Sequence, residues 1–80
     1  MDDDELIRRI GDLVDEEHDL EGSSGPDGLE PDAARRLREI EVALDQCWDL
    51  LRQRRARRRR GEDPDLAEVR PEQVVEGYEQ

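Results

Sequence analysis

Apolar residues first recur at Leu6, Ile7, Ile10, Leu13, Val14 and Leu20, the three-and-four spacing that lines up on one face of a helix. The pattern predicts a helix over residues 5–21, entered through Asp2, Asp3 and Asp4. Carboxylates there satisfy free N–H groups and sit well at the positive end of the helix dipole. The stretch GSSGPDG breaks the pattern, so residues 22–30 read as a loop in which the chain reverses. From Pro31, suited to a first helical turn, Ala33, Leu37, Ile40, Leu44, Cys47 and Leu51 step by four and three in a heptad seam. This predicts a second helix over 31–60, roughly 45 Å long at 1.5 Å per residue. Trp48 and Leu50 widen the seam at its far end, where the helix is expected to meet more than one surface.

Past Gly61, Pro64 and Pro71 forbid another long helix. Residues 61–80 read as an extended acidic tail with a short helical turn at 71–76, stopped by Gly77. Leu66, Val69, Val74, Val75 and Tyr78 are spaced like anchors for such a tail, and a disordered terminus fits the same composition.

An antiparallel hairpin sets Leu20 near Ala33, Leu13 near Ile40, Ile10 near Leu44, and Leu6 near Cys47 and Trp48. Two helices leave one side of each seam wet, and a chain of 80 residues buries too little surface to be stable without help. One cysteine and one histidine provide neither a disulfide nor a Cys-x-x-Cys metal site. The expected fold is therefore all-α, a coiled-coil-like antiparallel two-helix hairpin over residues 1–60 with an acidic C-terminal tail. It is expected to form a homodimer, a four-helix bundle whose core and dimer seam run through Leu37, Ile40, Leu44, Cys47, Trp48 and Leu51. A monomeric hairpin is the rival.

Charge changes the picture most. The net charge is −11, yet RQRRARRRR, residues 52–60, holds seven arginines in nine positions. Residues 1–21 carry a net −8, residues 31–60 a net +5, and residues 61–80 a net −6. The hairpin brings both acidic arms within reach of the arginines, so one reading is a helix end neutralised by its own chain, exposed pairs contributing only about 0 to 1 kcal/mol each. The other makes Arg52, Arg54, Arg55, Arg57, Arg58 and Arg59 a contact surface for phosphates or for an acidic protein. Overall charge and the lack of aromatics among the arginines weigh against nucleic acid.

Glu17 falls within the apolar face of the first helix and is expected to reach water or to pair with Arg36 or Arg38. Asp15, Glu16, Glu17 and His18 invite comparison with the Glu-x-x-His pairs of carboxylate-bridged metal bundles, but this chain has Asp15-x-x-His18, and Glu41 and Asp45 lie off the seam. No metal site or other cofactor is expected. Cys47, beside Trp48 on the seam and far from His18, reads as a small buried residue rather than a nucleophile. No catalytic constellation is found, so an enzyme is not expected. The chain has no apolar run of the length a membrane span needs and opens on acids rather than a secretion signal, which makes the expected location cytoplasmic.

LDQCWDLLRQRRARR (Leu44 to Arg58) resembles a family of short proteins from high-GC Gram-positive bacteria, known as a domain of unknown function. The likeness continues in LVDEEH (Leu13 to His18), GEDPD (Gly61 to Asp65) and VRP…VVEGY (Val69 to Tyr78), and so spans nearly the whole chain. The resemblance implies a small cytoplasmic α-helical protein and carries no activity or functional residue with it. The expectation is a non-enzymatic adaptor for an unidentified protein partner. A nucleic-acid or ribosome-associated accessory protein acting through residues 52–60 stands second, and a carboxylate–histidine metal bundle third.

Overall fold

A computed structural model describes residues 1–22 and 28–73. Two α-helices, α1 (Asp3–Gly22) and α2 (Pro31–Arg59), are followed by a single 3-10 turn at Pro64–Leu66. The predicted reversal loop lies mostly outside the described residues, as does most of the turn expected at 71–76. Val74, Val75 and Tyr78 lie outside them too.

Local chemistry sets where each helix begins and ends. The Asp2 carboxylate accepts the Glu5 N–H at 2.8 Å, which makes Asp2 the cap and starts α1 two residues before the apolar pattern suggests. That bond holds the Asp2 carboxyl below its ordinary range. α2 opens with Pro31 in its first turn and no side-chain cap, and the Glu30 carbonyl accepts the Ala34 N–H at 2.9 Å. Its other end closes on Gly61, at φ 76°. Gly61 N–H donates to Arg58 O at 3.1 Å and Glu62 N–H to Arg57 O at 2.8 Å, the paired bonds of a Schellman cap.

The two helices run antiparallel. Asp3 at the start of α1 meets Arg54 and Arg58 near the end of α2, while Glu16 meets Arg36 near its beginning. Leu6, Ile10 and Leu13, at helical spacing, are the buried face of α1. Leu6 and Ile10 form the core with Leu50 and Leu51, against which Leu44, Cys47 and Ala67 pack. Ile40 is fully buried as well.

After Gly61 the chain turns back along α2. Asp63 accepts the Asp65 N–H at 2.9 Å and so starts the 3-10 turn. Further on, the Glu68 carbonyl receives Gln53 Nε2 at 2.7 Å and the Arg70 carbonyl receives Gln46 Nε2 at 3.3 Å. The middle of α2 is therefore enclosed by α1 on one side and by this returning strap on another. That explains why Leu50, which the heptad places beside the seam, lies in the core. Trp48, expected on the seam, keeps 45% of its surface exposed in the single chain, and Leu37 is only half-buried.

Two glycines should respond oppositely to alanine. At Gly61 the positive φ strains any Cβ, so Gly61→Ala should lower the unfolding free energy by about 1 kcal/mol. At Gly11, mid-helix with open space where a Cβ would sit, Gly11→Ala should raise it by about 1 kcal/mol. Urea unfolding followed by circular dichroism reads both.

Candidate functional site

The arginine end of α2 is where the elements of the fold meet. Arg54 is buried, its side chain 6% exposed. Its Nε donates to Asp3 Oδ1 at 2.6 Å, and its Nη1 donates to Asp65 Oδ1 at 2.9 Å and to the Pro64 carbonyl at 3.3 Å. One guanidinium thus ties the start of α1, the end of α2 and the strap. Arg58 reaches the other Asp3 oxygen at 3.0 Å. Hydrogen bonds from Arg58 and Arg54 bring the Asp3 pKa down to about 2, and the two carboxylates push that of Arg54 up.

Five residues before Arg54 lies a second such joint. Asp49 is completely buried on the side of α2 turned away from the seam. Arg70 clasps both of its oxygens, Nε donating to Oδ2 at 2.9 Å and Nη2 to Oδ1, while Gln53 Nε2 donates to Oδ2 at 2.9 Å. The Arg70 bonds outweigh burial and hold the Asp49 carboxyl below its ordinary range. Both joints are fully hydrogen-bonded: among the described residues no buried side-chain polar atom lacks a partner.

The six arginines singled out in the sequence therefore divide. Arg54 is not a contact surface, because its planar fork is already spent on three oxygens inside the fold. Arg58 belongs to Asp3, and Arg57 lies 3.8 Å from Glu62, which Arg60 also binds at 2.8 Å. Arg52 is exposed beside the Asp49 carboxylate. Arg55 and Arg59 are exposed and have no ion-pair partner among the described residues. On this side of α2 an open groove of about 480 Å³ is lined by Arg52, Arg55, Arg57, Arg59, Arg60 and Arg70, with Gln53 and Ala56 between them.

Of the other residues considered, Glu17 does not take Arg36. Glu16 does, with Arg36 Nε to Oε2 at 2.6 Å and Nη2 to Oε1 at 2.8 Å, because Glu16 occupies the flank of α1 turned toward that arginine. Glu17 lines the opposite flank, in a hollow of about 350 Å³ with Glu41, Leu44, Asp45 and Trp48. Cys47 is half-buried, and burial pushes its thiol up, away from the thiolate that nucleophilic chemistry needs. No three His, Cys, Asp or Glu side chains converge as metal ligands among the described residues. Among those residues, no helix is long and apolar enough to cross a membrane.

Asp49 and Arg70 were not singled out by sequence reasoning, although two signals were present. Asp49 interrupts the apolar run CWDLL, and Arg70 is the one basic residue after Gly61. A charge inside an apolar run and a lone opposite charge in an acidic arm are natural partners.

Two tests address these joints. Arg70→Leu leaves the Asp49 carboxylate buried with Gln53 alone and should cost about 2 kcal/mol in urea unfolding. The double change Asp49→Leu with Arg70→Leu should cost less than Arg70→Leu by itself, since no buried charge is then left unpaired. For pH, the folded-state pKa of Asp3 lies below its ordinary 3.8, so its contribution is full above about pH 4 and is lost as pH falls toward about 2. Asp3→Asn should flatten that segment of the stability profile.

Over residues 2–80 the chain matches the family described as "Protein of unknown function (DUF2630)". Uncharacterised proteins of Mycobacterium bovis and Mycobacterium tuberculosis are each 52% identical to it over 77 residues, which cover 95% of this chain and 88% of theirs. No solved structure matches it. A match over nearly the full length, with relatives this similar, means that the chain belongs to the DUF2630 family.

Proposed function

We propose that this protein is a non-enzymatic interaction protein, a homodimeric helical hairpin that holds an acidic segment of a partner protein in the arginine-lined groove of α2. The observation that carries the reading is the groove itself. Six arginines line it together with Gln53 and Ala56, and two of them, Arg55 and Arg59, have no acid of their own among the described residues. Guanidinium forks suit carboxylates in pairs, and a shallow groove on a rigid helix suits an extended acidic segment. Nothing in the groove is a nucleophile or a general base, and burial pushes the one thiol of the chain, Cys47, above its ordinary range. The small core, and the apolar side chains of Ile7, Val14 and Trp48 that a single chain leaves outside, support the homodimer.

Nucleic acid is the second reading, because exposed Trp48 lies one turn from Arg52 and offers a ring for base stacking. The net charge of −11 opposes the long-range attraction that such binding depends on.

Fluorescence anisotropy with a labelled glutamate-rich peptide and with a labelled single-stranded RNA, both at physiological salt, separates the two. The peptide should bind, and Arg52→Ala with Arg59→Ala should weaken it by about tenfold. RNA binding tighter than peptide binding, with a steep loss in added salt, would replace the protein partner with nucleic acid.

A further inference from the structure

One flank of the hairpin is left apolar and is bordered by both signs of charge. Ile7 and Val14 stand two turns apart on α1, 50% and 36% exposed. Helical geometry puts them on the same flank as Trp48 and Leu44 of α2, because Arg9, Gln46 and Leu50 close the opposite one. Around Trp48 the charges of α2 are arranged by sign. Toward the N-terminus, Glu41 and Asp45, joined by Glu17 of α1, border the hollow against its ring. Toward the C-terminus stands Arg55, exposed and without an ion-pair partner among the described residues. The spacing is symmetric: Glu41 lies seven residues before Trp48 and Arg55 seven residues after it.

We infer that a second copy of this chain docks on this flank, with α2 crossing α2 of its partner antiparallel about a two-fold axis at Trp48, so that Arg55 of each copy enters the acidic hollow of the other. The inference rests on the homodimer proposed above and adds its geometry. An isologous interface must be self-complementary, each contact occurring twice with the roles exchanged. A flank that is acidic on one side of a central aromatic and basic at the same distance on the other meets that condition. A parallel crossing would instead set Glu41 against Glu41 and Arg55 against Arg55. Seven residues are two helical turns, so both side chains return to the face that Trp48 occupies. In the hollow the guanidinium meets three carboxylates and the Trp48 ring, a combination of ion pairing and cation–π contact. Trp48, Leu44, Ile7 and Val14 supply the apolar centre of the contact, and tryptophan and arginine are the residues that most often dominate such interfaces. Arg55 is shared with the groove over Ala56, which faces about a quarter turn away on α2 and keeps Arg52, Arg57, Arg59, Arg60 and Arg70 outside this contact.

Charge reversal tests the geometry apart from the dimer. Sedimentation equilibrium of the full chain at micromolar concentration should give twice 9.3 kDa. Glu41→Arg and Arg55→Glu should each weaken self-association by at least about tenfold, with helix content unchanged by circular dichroism. An equimolar mixture of the two variants should recover the dimer as a heterodimer, because both cross-axis pairs are then of opposite sign. Trp48→Ala should weaken the wild-type dimer without converting the variants into a better match. A monomer mass for the wild-type chain would overturn the homodimer together with this interface. A wild-type dimer that both reversals leave intact, or variants that fail to pair with each other, would overturn the Trp48 axis while leaving the homodimer in place.

Discussion

The guanidinium of Arg54 meets two carboxylates and a carbonyl from three different parts of the chain. Without that joint the start of α1, the end of α2 and the strap have little to hold them in register. Leu6, Ile10, Leu50 and Leu51 are few, and oil alone is indifferent to a slide of one turn. A planar fork of donors at fixed angles is not indifferent. The Asp49–Arg70 clasp repeats the device one and a half turns earlier and pins the strap to the far side of the same helix. Buried pairs of this kind contribute little net stability, but moving either partner leaves a charge out of water and unpaired. The two joints therefore specify one arrangement for a chain whose apolar core is too small to do so.

The opening contrast between a basic run and an acidic chain resolves along the helix. Arg54, Arg57, Arg58 and Arg60 are matched by Asp3, Asp65 and Glu62, so half or more of the run is counterweight. The remainder turns outward on two adjacent sides of α2, one a groove of guanidinium groups and the other a flank centred on Trp48. A single helix of 29 residues is thus packed by α1 and by the strap, and in the assembly proposed above it also receives an acidic partner and a second copy.

Much of this was legible in the chain by itself. Three-and-four spacing marked both helices, the run from Gly22 to Gly28 marked the break between them, and Gly61 followed by Pro64 marked where α2 ends. The opposed charges of the arms and the arginine run also pointed to pairing between them. These features are local, or are sums over segments, and local backbone preference and Coulomb attraction act on them whatever the rest of the chain does. Which arginine is buried, which acid it meets, why Leu50 is inside and Trp48 outside, and that Arg36 belongs to Glu16 were decided only by tertiary structure. Asp3 and Arg54 are separated by 51 positions and Asp49 and Arg70 by 21. Periodicity reports the one face of α2 that meets α1, whereas the strap returns over another face by a path that depends on how the Gly61 cap aims the chain, and spacing along a sequence carries no record of that direction.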